Sequence, residues 1–115
     1  MDLLIFILND HEKLDAILTE LEKSGIRGAT VIDSTGMAKV LHHEEEEVAF
    51  LGTLRSLLNP ATRAKSNTIL MVLEKKMIHT AVEAIERIVG DLNQENVGVI
   101  FSIPVDFTKG IKKHE

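Results

Sequence analysis

Two short runs, residues 3–8 and 68–73, carry apolar side chains at almost every position. A β-strand sends alternate side chains to opposite faces of its sheet. In the first run Leu3, Ile5 and Ile7 take one face, and Leu4, Phe6 and Leu8 take the other. In the second, Ile69, Met71 and Leu73 oppose Leu70 and Val72. Strands that are apolar on both sides are buried on both sides. The rest of the pattern supplies only two clear helices, enough to cover one side of a small sheet. The other side needs a partner, most simply another copy of the chain.

The first helix follows the first strand. Asp10 is placed to cap it, with Glu12 in the first turn where the helix dipole favours negative charge. Leu14, Ile17, Leu18 and Leu21 recur on one helical face, and Gly25 stands where a helix stops. Residues 28–34 read as a second strand, with Asp33 and Ser34 giving it the polarity of an edge. After the third strand, Ile78, Ala81, Val82, Ile85, Ile88 and Val89 follow helical spacing up to Gly90. Lys75 and Lys76 sit where the dipole disfavours cations, so the start of this helix is poorly capped. Residues 91–96 are a polar loop, and residues 97–103 read as a fourth strand closed by Pro104.

The order is strand–helix–strand twice over. Two such units form an α+β, ferredoxin-like βαββαβ fold, a four-stranded antiparallel sheet with both helices on one face. Strands one and three become the central pair, which agrees with their two-sided apolar pattern. The chain of 115 residues reads as a single domain, residues 1–115. Between its halves lies an insert, residues 36–66, far longer than an ordinary connection. Val48, Leu51 and Leu58, with Phe50, Leu54 and Leu57 on a neighbouring stripe, predict a short helix over residues 45–58, ended by Asn59 and Pro60.

Composition narrows the function classes. Hydrophobic residues make up 44% and charged residues 27%, a globular balance. The net charge of −5 counts against a nucleic-acid partner. With no cysteine, neither disulfides nor thiol chemistry operates, which fits a cytoplasmic location. The N-terminal apolar run is too short for a membrane span or signal segment, so no membrane insertion is expected.

Several stretches then resemble one family. Gly25-Ile26-Arg27-Gly28-Ala29-Thr30-Val31, followed by Gly36-Met37, resembles the helix end, second strand and loop base of the nitrogen regulatory P-II proteins. Lys13-Leu14-Asp15-Ala16-Ile17 and Ala81-Val82-Glu83-Ala84-Ile85 resemble their two helices, and residues 98–105 resemble their last strand and its exit. The resemblance implies a homotrimer that is not an enzyme. It implies a small-molecule effector, an anionic metabolite or adenine nucleotide, bound in clefts between subunits with no required cofactor. It also implies a protein target contacted by the long loop. Carried over by position, Thr30, Gly36 and Met37 line the ligand cleft, Gly98 lies in the loop approaching the phosphates, and Lys112 is among the basic C-terminal positions. Two positions depart from the family. Val99 stands where a lysine usually follows the glycine, and Ala38 replaces a second loop-base glycine. The loop over residues 91–96 holds Asp91 and Glu95 and no basic residue, which counts against tight triphosphate binding. The absence of tyrosine removes nucleotidylation of a loop tyrosine.

The remaining candidate chemistry has plainer readings. His42-His43 before Glu44 to Glu47 motivates a second reading, a trimeric divalent-metal binder resembling the copper-tolerance family. A solvated acidic helix start explains the same residues. The strand–helix order also resembles amino-acid-binding ACT regulators, which are shorter. His11, His79 and His114 occupy ordinary surface or tail positions. Gly36 is expected to relieve backbone strain at the loop base, and Met37 either to cover a ligand face or to pack there. The leucines at 51, 54 and 58 suit packing on this or a neighbouring subunit, or docking on a partner protein. No nucleophile elbow, phosphate-binding P-loop or HExxH motif is present.

Overall fold

The computed structural model describes residues 1–37 and 66–111. Its elements run β1 (Asp2–Leu8), a 3-10 turn (His11–Lys13), α1 (Leu14–Lys23), β2 (Thr30–Ser34), β3 (Ser66–Leu73), a second 3-10 turn (Lys75–Met77), α2 (Ile78–Val89) and β4 (Gly98–Pro104). The four strands form one antiparallel sheet in the order β2-β3-β1-β4. This is the ferredoxin-like arrangement, with β1 and β3 central as their pattern demands. The predicted helix over residues 45–58 falls outside the described residues.

Boundaries shift where local chemistry competes with the apolar pattern. β2 begins at Thr30 rather than residue 28. β3 begins at Ser66 rather than residue 68, because Asn67 and Ser66 pair with Asp33 and Ser34 although neither is apolar. β4 keeps Pro104 as its last residue, opposite Asp2. An edge strand tolerates proline because one row of its backbone groups faces away from the ladder. Both helices enter through a 3-10 turn. Asp10 caps the first, its carboxylate accepting from the Glu12 N–H at 3.1 Å. The second has no side-chain cap, in line with the lysines at its start. Gly25 and Gly90 follow the helices with φ of +94° and +84°, a region that suits glycine.

The core lies between the sheet and the helices. Leu4, Phe6 and Leu8 of β1 and Ile69, Met71 and Leu73 of β3 are buried against Ile17 and Leu21 of α1 and Ala81, Ala84 and Ile85 of α2. Each large side chain so buried contributes about 1.5–3 kcal/mol. Ala81 and Ala84 are fully buried on the face of α2 that joins this core. On the outer surface Arg87 of α2 ties to α1, donating to Glu20 Oε1 at 2.8 Å and to Ser24 Oγ at 3.0 Å.

The opposite sheet face is apolar and bare. Cross-strand register puts Thr30, Leu70, Ile5 and Phe101 in one row and Ile32, Thr68, Ile7 and Val99 in the next. Val72, Leu3 and Ile103 form a third. No described helix covers them, and Phe101 and Ile103 remain 44% and 47% exposed. Apolar patches of this extent are uncommon on a monomer's surface. Among the described residues no helix is long and apolar enough to cross a membrane.

Candidate functional site

The candidate ligand residues are scattered over the chain. Thr30 opens β2 and sits on the bare sheet face, opposite Leu70. Gly36 and Met37 lie beyond the far end of the same strand, and Met37 is 77% exposed. Gly98 opens β4 opposite Leu8, which pairs on its other side with Asn67, itself the partner of Asp33. Gly36, Met37 and Gly98 therefore share one end of the sheet, separated by two strands, while Thr30 lies nearer its middle. Lys112, Ala38, His42, His43, Glu44 to Glu47 and the leucines at 51, 54 and 58 fall outside the described residues. A groove of about 500 Å³ beside the end of α1, with Leu18, Leu21, Ile26 and Arg27 in its wall, includes none of the candidates.

The two glycines differ in what they require. Gly36 does not have a positive φ, and a Cβ built on it meets nothing within 4 Å. The expected relief of backbone strain at Gly36 is thus corrected: neither backbone nor space demands glycine there. Gly98 is demanded by packing. A Cβ there would stand 2.5 Å from the Ile7 carbonyl oxygen and 2.7 Å from the Phe6 ring.

The first part of the loop before Gly98 has its donors occupied. The Leu92 N–H donates to Glu86 Oε2 at 3.2 Å, the Asn93 N–H to Asp91 Oδ1 at 2.9 Å, and the Gln94 N–H to the Asp91 carbonyl at 3.1 Å. An anion is held by converging N–H groups or by cations. Here three successive N–H groups, those of Leu92, Asn93 and Gln94, are occupied by Glu86 of α2 and by the side chain and backbone of Asp91. Val99, in the position of the missing lysine, is 57% exposed on the bare sheet face.

A polar clasp at the root of the insert was not singled out from the sequence. Asn67 Nδ2 donates to Asp33 Oδ1 at 3.1 Å, and Thr68 Oγ1 donates to Ser34 Oγ at 3.0 Å. The available signal was the polar run 33–35 facing the polar run 66–68 across the insert. Taken singly, those residues read only as an edge strand's polarity.

The family model described as nitrogen regulatory protein P-II matches residues 1–115. The chain belongs to the nitrogen regulatory P-II family. The match spans both strand–helix–strand halves and the insert between them, and it favours this reading over the copper-tolerance and ACT alternatives. No curated protein matches the chain significantly. Membership supports a P-II-like regulatory protein, and the four-stranded sheet with two helices is the fold that the family implies.

Proposed function

We propose that this P-II family chain is a cytoplasmic, non-enzymatic signalling protein that works as a homotrimer. A small anionic metabolite or adenine nucleotide binds in the clefts between copies, and residues 36–66 carry its occupancy to a protein target. The observation behind this reading is the bare apolar face of β1, β3 and β4. Sister copies packed on that face remove it from water, and the area so buried drives assembly. Thr30, Gly36, Met37 and Gly98 lie apart within one chain, and in this reading a second copy completes the cleft around the ligand.

Signal transfer then follows from differential binding. A ligand at Gly36 and Met37 touches the root of the insert, so it stabilises whichever arrangement of that root makes the better contacts. The occupied N–H groups of Leu92, Asn93 and Gln94 and the absent lysine mean that phosphates add little. Contacts to the base, ribose or another compact group supply most of the affinity.

Light scattering on the purified protein tests the assembly. A mass three times the 12.8 kDa chain is expected, and a stable single chain at micromolar concentration overturns the reading. Calorimetry against adenosine mono-, di- and triphosphate tests the ligand. Absence of heat with all three removes the nucleotide form of the proposal.

A further inference from the structure

The chain leaves β4 with an aromatic side chain in water. Beyond Pro104 the Val105 N–H donates to the Met1 carbonyl at 3.1 Å, which holds the departing segment to the end of β1. Phe107, two residues further on, is 77% exposed. Asp106 and Lys109 flank it in the sequence. At the opposite edge of the sheet, where β2 begins, lies the groove of about 500 Å³ beside α1. Leu18, Leu21 and Ile26 give it an apolar wall, and the exposed Glu22 and Arg27 bring one charge of each sign to it. None of these four charged side chains forms an ion pair among the described residues. The groove and Phe107 also share one end of the sheet. Thr30 and Phe101 lie in one cross-strand row, so Ala29 and Gly28 continue toward the end at which β4 departs. The whole width of four strands separates β2 from β4.

We propose that Phe107 of one copy inserts into the α1 groove of the next copy, with Asp106 facing Arg27 and Lys109 facing Glu22. The inference rests on the trimer reading above and adds the contact that closes the ring. When three bare faces turn to a common axis and the strands run along it, the β4 edge of each copy comes beside the β2 edge of its neighbour, like ends together. Such a contact is heterologous: two different surfaces meet, and the rotation closes after three copies. The groove wall takes the Phe107 ring out of water, which favours insertion. An aromatic side chain seated in a pocket is the usual anchor of an interface. The flanking charges set its direction. Inserted the other way round, Asp106 would meet Glu22 and Lys109 would meet Arg27, and like charges brought together disfavour that register.

The chain has neither Trp nor Tyr, so Phe107→Trp carries its only indole. In the assembled protein the emission of that indole should be blue-shifted and shielded from acrylamide. Adding Phe101→Glu, which should break the assembly, is expected to return it to that of a solvated indole. An exposed indole in a protein that scatters as a trimer overturns this inference and leaves the trimer reading standing. A protein that scatters as a single chain overturns both. Shielding that persists in the single-chain Phe101→Glu form puts the ring on its own chain and also overturns the inference. Charge reversal then separates this groove from any other part of the interface. Arg27→Asp, at an exposed position, should raise the concentration at which the trimer dissociates by about tenfold. Asp106→Arg in the same chain should restore most of that loss, because the pair is remade with its signs exchanged. A trimer indifferent to Arg27→Asp, or one that Asp106→Arg does not rescue, overturns the assignment.

Discussion

Gly98 and Ile7 approach so closely that the smallest side chain at position 98 would stand 2.5 Å from the Ile7 carbonyl oxygen. The Phe6 ring closes the same space from the other side. Both obstacles belong to the central strand, one is backbone, and the ring is fully buried, so neither yields easily. Packing alone thus explains this glycine. Gly98→Ala is expected to destabilise the fold by about 1–3 kcal/mol, the usual cost of forcing atoms into a packed site. Urea unfolding measures it, and a change below about 0.5 kcal/mol contradicts the crowding argument.

Phe6 and Phe101 sit on opposite faces of the sheet and should respond in opposite ways. Phe6 is buried beneath the helices, and truncation to alanine is expected to cost about 3–5 kcal/mol. Phe101 is on the bare face, where the proposed trimer hides it. Phe101→Glu should leave the circular dichroism of the fold intact while reducing the scattering mass to a single chain. A trimer that tolerates this charge is not built on that face.

How far these features were legible follows from their range in the chain. The β1 and β3 patterns exposed the sheet's two faces because alternation is local and strong. The stops at Gly25 and Gly90 were legible for the same reason. Strand ends were less so: Ser66 and Asn67 join β3 through partners on β2, more than thirty positions away, and no local preference announces that pairing. Lengthening β3 also placed Asn67 on the same side of the sheet as Ile69 and Met71, where it is buried. Gly98 could be recognised as important, but its reason could not, since the atoms that crowd it belong to β1. The donors of loop 91–97 are hidden likewise, because one acceptor, Glu86, lies back on α2.

Arg87 spans both helices, reaching Glu20 with Nε and Ser24 with Nη2. The pair is partly solvated, so its worth is discounted to about 0.5–1 kcal/mol. Arg87→Ala should lower stability by that amount, and added salt should shrink the difference. Arg87→Lys should recover only part of it, because an ammonium cannot present two fixed donors at that spacing. Denaturant melts at low and high ionic strength decide the matter. Equal losses at both would show that the guanidinium acts through packing rather than charge.

Glu86 and Asp91 occupy two N–H donors of the loop that leads to Gly98, the loop proposed to approach the ligand. Glu86 Oε2 accepts from Leu92, and Asp91 accepts from Asn93 through its side chain. Both carboxylates also repel phosphate oxygens. In the unaltered protein, adenosine monophosphate and triphosphate should therefore bind with affinities within a few-fold of each other. Replacing both acids by alanine releases two N–H groups and removes two negative charges near the loop. A hydrogen bond to a charged group contributes about 1.5–3 kcal/mol when its geometry is good. Even one new bond of that kind should tighten the triphosphate by about tenfold and leave adenosine itself unchanged. Calorimetry with adenosine, its monophosphate and its triphosphate separates the two contributions. Strong preference for triphosphate in the unaltered protein would mean that the loop rearranges on assembly and its N–H groups turn toward the cleft. Equal binding before and after the double replacement would mean that this loop does not border the ligand at all.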